Sequence, residues 1–172
     1  MDITILGKTS IKLKGKRVSF IVDPAKDILK TSADAVILLN GQKDIDTSRV
    51  TDSRIIINGA GGYEIGGVKI SGTTTDKGTL YKISMEDILV IVGRSAETKA
   101  DGFNACQIAI VNTENDFNES FVTPLEPRLV VLYGEKKTES AKALGAESIS
   151  SVTKITITKD KLPEKMEIVV LG

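Results

Sequence analysis

The apolar runs of this chain are short. Ala35–Leu39, Ile88–Val92, Ile108–Val111 and Leu129–Tyr133 are unbroken, and each stops after four or five residues at a polar or turn-forming position. Such runs fit strands covered on both faces, because a helix of that length buries too little to be stable. Around them lie alternating segments. Ile11 and Leu13 alternate with Lys12 and Lys14, Val18, Phe20 and Val22 lie two apart, and "SVTKITITK" and "EKMEIVVLG" alternate near the C-terminus. Strands buried on both faces, beside strands with one wet face, call for stacked sheets.

Turn signals set the order. Lys14-Gly15-Lys16 predicts a hairpin, and Asp23-Pro24 ends the strand after it. Six glycines between 59 and 72 predict tight turns or a close backbone approach, with short strands near 63–65 and 68–71 joined through Gly66-Gly67. "GTLYKIS" and "DILVIVG" form the next pair around Met85-Glu86, and "RIIIN" at 54–58 reads as a further buried strand. Residues 25–32 read as one helical turn and 95–105 as weakly helical. "KKTESAKALG" reads as a helix, with Ala141 and Leu144 toward the core and Gly145 at its C-cap. Two strands around a turn near Pro163 close the chain. The sum is about ten or more short strands with a few short helices. Neither a linker nor a tandem repeat interrupts them, so residues 1–172 form one domain.

Composition removes several function classes. Lys plus Arg is 23 and Asp plus Glu is 23, with no basic block, so no nucleic-acid partner is expected. The N-terminus enters an alternating strand without a basic, then apolar, leader, and no run approaches a membrane span; a cytoplasmic protein without a membrane partner is expected. Cys106, the single cysteine, opens an apolar run and reads as a core residue. "GAGG" at 59–62 lacks both the Walker pattern and the dinucleotide-binding spacing. The chain contains no histidine, which removes the usual base of serine and cysteine triads and the usual neutral-pH acid–base group.

Several segments together resemble the metallo-β-lactamase fold hydrolases, and among them a small bacterial branch of metal-dependent hydrolases. "ITILGKTSIKLKGKRVSFIVDP" is similar to the family's opening hairpin ending in Asp-Pro, and "ADAVILLNGQKD" sits where the family has its metal motif. "INGAGGYEIGGVKISG" is similar to the branch's Gly-rich hairpin, retaining Gly59, Gly61, Tyr63, Glu64 and Ile65, and "LEPRLVVLYG" and "VTKITITKDKLPEKMEIVVL" resemble its late strands. The resemblance implies an α+β fold, an αββα sandwich of two mixed sheets, here with reduced helical cover. It also implies a metal motif, His-x-His-x-Asp-His. On this chain Asn40 and Gln42 take the first two histidines, Asp44 keeps the aspartate, and Ile45 takes the last histidine. The later histidine region is "TTTDK", the bridging aspartate becomes Arg94, and the last histidine falls near Leu132 or Tyr133.

Zinc chemistry needs about three protein donors and an open position. With only Asp44 surviving and a fixed cation at Arg94, no zinc cofactor is expected. An oxygen-ligated Mg²⁺ or Ca²⁺ would require Asp23, Asp44, Asp46 and Asp76 to converge, with Asn40 and Gln42 helping. Against this, Asp23 would simply cap the turn before Pro24, and Asp44 and Asp46 would lie in a solvated loop. Arg94 has its own alternatives: an ion pair with Asp44 or Asp23 where the metal sits in the family, or exposure to solvent. Glu64 is expected to fix the geometry of the Gly-rich hairpin with Gly59, Gly61 and Tyr63. Arg94, Tyr133, Asn40 and Gln42 would line any remaining pocket. The expected function is non-catalytic, a binding or assembly role with a protein partner or a second copy of the chain. The alternatives are a hydrolase with a non-classical metal site and a binder of a small anionic ligand in the old cleft.

Overall fold

The computed structural model describes residues 1–95, 103, 105–114 and 117–172. In chain order its strands are β1 (Asp2–Ile5), β2 (Ile11–Lys14), β3 (Ser19–Val22), β4 (Thr31–Ser32), β5 (Ala35–Leu38), β6 (Val50–Thr51), β7 (Ile55–Asn58) and β8 (Gly61–Ile65). They continue with β9 (Val68–Thr75), β10 (Gly78–Met85), β11 (Ile88–Arg94), β12 (Ile108–Asn112), β13 (Leu129–Tyr133), β14 (Ser151–Val152), β15 (Lys154–Thr156) and β16 (Glu167–Leu171). The α-helix among the described residues is α1 (Lys137–Ala143). None of the described helices is long and apolar enough to cross a membrane.

Two mixed sheets carry the fold. One has the order β15-β1-β2-β3-β5-β7 and the other β14-β16-β13-β12-β11-β10-β9-β8. In the first, β3, β5 and β7 run parallel. In the second, β11, β12, β13 and β16 do. The remaining neighbours along β1–β3 and β8–β11 are antiparallel hairpins.

The shared core lies between the sheets. Phe20, Val22, Ala35, Ile37 and Ile57 face Tyr81, Ile83, Val90, Val92, Ile110 and Val131 across it. Ile91, Ala109, Val111, Val130 and Leu132 point the other way, into a second cluster closed by Ala141 of α1. Ile21 and Val36 pack outward against Ala33 and Val50, beside the small β4–β6 ladder. The unbroken apolar runs are thus central strands with cover on both faces. One outer face receives a helix and the other a two-stranded ladder, which is how helical cover is reduced.

Four local expectations need correction. Residues 25–32 form turns and β4 rather than a helical turn, with Ala25 bridged to Ile45. β7 is an edge strand among the described residues: Ile57 is buried, but Ile55 and Ile56 are 45% and 50% exposed, since of the described strands β5 alone pairs with it. The β10–β11 turn is Glu86-Asp87, one residue later than expected, with φ of 54° and 60°. The strands flanking Pro163 do not pair with each other; β15 joins β1 and β16 joins β13. The expected weak helix at 95–105 lies largely outside the described residues.

Gly72 and Gly93 are among the glycines that close packing requires. A Cβ at Gly72 would lie 2.6 Å from the Gly59 oxygen and 2.8 Å from the Tyr81 ring. A Cβ at Gly93 would lie 2.1 Å from Leu80 Cδ2. The passage at Gly72 lets Tyr81 cross between the sheets, where its hydroxyl donates to Leu38 O at 3.0 Å and accepts from Gly59 N at 2.9 Å.

Candidate functional site

The parallel strands of both sheets end at the same edge of the sandwich. From the first sheet come Asp23, directly after β3, and the segment Leu39–Gln42 after β5. From the second come Arg94, Asn112 and Tyr133, the last residues of β11, β12 and β13, which stand side by side in register. The turns are sharp: Asp23, Asn40 and Gly41 have φ of 45°, 58° and 96°. Asp and Asn tolerate this left-handed region better than most side chains.

Arg94 is the hub. Its side chain is 6% exposed, and Nη2 lies 3.3 Å from Asp23 Oδ2, whose side chain is 1% exposed. Nη2 also donates to Gln42 Oε1 at 3.3 Å, Nη1 to Asn112 Oδ1 at 3.4 Å, and Nε to the Asn40 carbonyl at 3.3 Å. One guanidinium therefore joins four chain segments from both sheets. A second ring of contacts holds its partners. Leu39 N–H donates to Asp23 Oδ1 at 2.8 Å, Asn40 Nδ2 to Thr79 Oγ1 at 3.2 Å, and Gln42 Nε2 to Thr9 Oγ1. Ser10 donates to Asp23 O and accepts from Ala25 N, which pins the turn after β3.

Burial dominates the electrostatics. It pushes the Asp23 carboxyl up to about 6, although Leu39 N–H and the Arg94 charge pull it back. Burial also raises the Tyr133 hydroxyl, and the Asp23 charge adds to it. Burial and the neighbouring Glu135 raise Glu114. Asn112 Nδ2, Tyr133 Oη and Glu114 Oε2 are buried polar atoms without a hydrogen-bond partner among the described residues.

Outside this hub lies a cleft of about 590 Å³, lined in part by Lys8, Thr9, Gln42, Lys43, Arg94 and Glu114. The residues singled out in the sequence separate into two groups here. Asp23, Asn40, Gln42 and Arg94 meet. Tyr133 stands beside them, but its ring is fully buried in the core and does not line the cleft; Leu132 faces the opposite cluster. Asp44 sits at the cleft wall, 75% exposed, and pairs with Lys26 at 3.1 Å rather than with Arg94. Asp46 caps a 3-10 turn through Ser48 and pairs with Arg49 at 3.4 Å, and Asp76 is exposed at the β9–β10 turn. The four aspartates therefore do not converge. Asp23 does more than cap its own turn, since it accepts from both β5 and β11 segments. In the Gly-rich hairpin, Tyr63 ties the loop by donating to Gly59 O at 3.3 Å, Gly61 lies under its ring, and Glu64 is exposed.

Asn112, Thr9, Thr79 and Glu114 belong to the site and were not singled out in the sequence. Only Asn112 had a usable signal: like Arg94, it is a polar residue ending an unbroken apolar strand.

Comparison with solved structures decides the fold. A metallo-β-lactamase superfamily protein from Thermotoga maritima, designated a Zn-dependent hydrolase, superposes with a TM-score of 0.77 over 99% of this chain and 98% of its own, at 18% identity. The chain has the metallo-β-lactamase fold. The metallo-hydrolase Igni18 from Ignicoccus hospitalis matches with a TM-score of 0.61 at 14% identity, over 91% of this chain and 99% of its own. Zn²⁺-bound PqqB from Methylobacterium extorquens matches at 0.58 and 10% identity, over 91% and 100%. No protein-family model matches the chain, and no curated protein matches it by sequence.

The metallo-β-lactamase fold implies a metal at this sheet edge, and the side chains here do not suit one. Among the described residues no three His, Cys, Asp or Glu side chains form a group able to hold a metal ion. Around the guanidinium that pairs with Asp23, the other oxygens are the Asn40 backbone carbonyl, Gln42 Oε1 and Asn112 Oδ1, and each already accepts from Arg94. A fixed positive charge at that distance opposes a divalent cation.

Proposed function

We propose that this chain is a non-catalytic metallo-β-lactamase-fold protein in which an internal ion pair does the structural work of the metal, leaving the cleft above it for a binding role. The observation that carries the reading is the Arg94 guanidinium, buried against Asp23 and bonded to the turns after β3 and β5 and to the last residue of β12. A metal joins loops by drawing several donors to one point; here one cation with five N–H donors draws acceptors to itself. Two further features support the reading. The chain has no histidine, and burial pushes the Cys106 thiol up to about 12, which removes it as a nucleophile.

Elemental analysis of untagged protein, purified without chelator and incubated with Zn²⁺, Mn²⁺ and Mg²⁺, tests it. The expected result is far less than one ion per chain. About one ion per chain, lost on Asp23→Asn, would restore a metal-dependent hydrolase as the better reading.

A further inference from the structure

We propose that Asn40 is a site of self-modification: the Gly41 nitrogen attacks the Asn40 side-chain amide, ammonia leaves, and aspartate or isoaspartate remains, with Arg94 promoting the step. The inference goes beyond the binding role above and does not rest on it, since water is the sole other reactant.

The chain has two Asn-Gly pairs, Asn40-Gly41 just after β5 and Asn58-Gly59 at the end of β7. In both the chain turns sharply, with Gly41 and Gly59 at φ of 96° and 97°. Glycine suits that conformation, and it leaves the nitrogen uncrowded by a side chain. Both asparagines are exposed to water. The two pairs differ at the nucleophile. Gly59 N–H donates to Tyr81 Oη at 2.9 Å and must give up that bond before its nitrogen can attack. Gly41 N–H makes no hydrogen bond among the described residues. Asn40 Nδ2 donates to Thr79 Oγ1 at 3.2 Å, but that nitrogen is the one that departs.

Arg94 adds a second difference. An amide nitrogen attacks as it gives up its proton, and resonance spreads the resulting charge onto the carbonyl oxygen of the same peptide group. For Gly41 that oxygen is Asn40 O, which accepts from Arg94 Nε at 3.3 Å. The guanidinium is buried and fixed by Asp23, Gln42 and Asn112. A donor held in place stabilises charge as it develops on that oxygen.

The step balances without a cofactor. The bond from Gly41 N to Asn40 Cγ forms as Cγ–Nδ2 breaks, and the proton from Gly41 N leaves with Nδ2 as ammonia. Water then opens the cyclic imide. Opening at Cγ gives aspartate, and opening at the main-chain carbonyl gives isoaspartate. In isoaspartate the oxygen that accepts from Arg94 Nε belongs to a free carboxylate, so a second anion joins Asp23 on the guanidinium.

Peptide mass spectrometry of untagged protein aged at mildly alkaline pH, with isoaspartate measured by enzymatic methylation, tests the proposal. Asn40 should deamidate about tenfold faster than Asn58. Tyr81→Phe frees Gly59 N–H and should raise the Asn58 rate several-fold. The double variant Asp23→Leu, Arg94→Met, checked for folding by circular dichroism, should slow Asn40 by about tenfold, with Asn58 in the same sample as the internal control. An unmodified Asn40, an equal rate at Asn58 in the wild type, an Asn58 rate unmoved by Tyr81→Phe, or an undiminished Asn40 rate in the folded double variant overturns the proposal.

Discussion

A single residue separates Val92, Ile110 and Val131 from Arg94, Asn112 and Tyr133 on the same three strands. Both rows are buried, and both face the opposite sheet. The first row needs only shape and area from its neighbours. The second needs acceptors in specific places, and it draws them from loops of the other sheet, Asp23, Asn40 and Gln42. It does so incompletely, leaving Asn112 Nδ2 and Tyr133 Oη without hydrogen-bond partners among the described residues. The sandwich is thus self-sufficient in its middle, whereas its end holds together through a few charged contacts.

The largest expected effect comes from the polar row. Arg94→Met removes the cation paired with buried Asp23 and a donor from three other acceptors, and should cost about 3–5 kcal/mol in urea unfolding. Combining it with Asp23→Leu should recover much of that loss, since apolar replacements of buried ion pairs are often neutral or stabilising. If the double variant is no more stable than Arg94→Met, the site is held by more than this pair.

A smaller effect follows from protons. Between pH about 4 and 6 the unfolded chain has lost the Asp23 proton while the folded chain retains it. The group's contribution is fully present below that window and is lost as pH rises through it. Stability of the wild type should therefore fall by roughly 2 kcal/mol relative to Asp23→Asn as pH rises from 4 to 7. Parallel pH curves for the two proteins would mean that Asp23 titrates normally.

The apolar row should respond to volume alone. Ile110→Val should cost about 1 kcal/mol, with no change in the pH curve. The smallest effect lies at the far end of β11, where Asp87 is exposed at a φ of 60°. Asp87→Gly should raise the urea midpoint by about 0.5 kcal/mol equivalent, because glycine adopts that conformation without strain. A loss instead would assign the aspartate side chain a role in the turn.

Much of this comparison was legible in the sequence, for reasons that differ by row. Unbroken apolar runs identified the central strands, since burial on both faces leaves no polar alternation. They did not separate a central strand from an edge, so "RIIIN" read as buried although Ile55 and Ile56 are half exposed. Of the polar row, Arg94 stood out against the resemblance, and Asn40, Gln42 and Asp23 followed from their positions at strand ends. Thr9, Thr79 and Glu114 did not. Thr9 contacts Gln42 across 33 residues, and Thr79 contacts Asn40 across 39. Such partners acquire meaning only once the two sheets have been brought together. Tyr133 was placed on a cleft wall because strand-end position alone does not say whether a ring turns into the core.

The edge strand has a consequence for how the protein behaves in bulk. Among the described residues no strand pairs with the outer side of β7, and Ile55 and Ile56 lie beside its backbone groups with Arg54 as the adjacent charge. A short, β-branched, uncharged segment of this kind is a template for growth by strand addition. At high concentration, copies of this chain should join through it, and Arg54 is the gatekeeper that slows the process. Ile56→Lys should extend the lifetime of concentrated solutions while leaving the unfolding midpoint within about 0.5 kcal/mol; the same isoleucines that make the sheet easy to form also make it easy to extend.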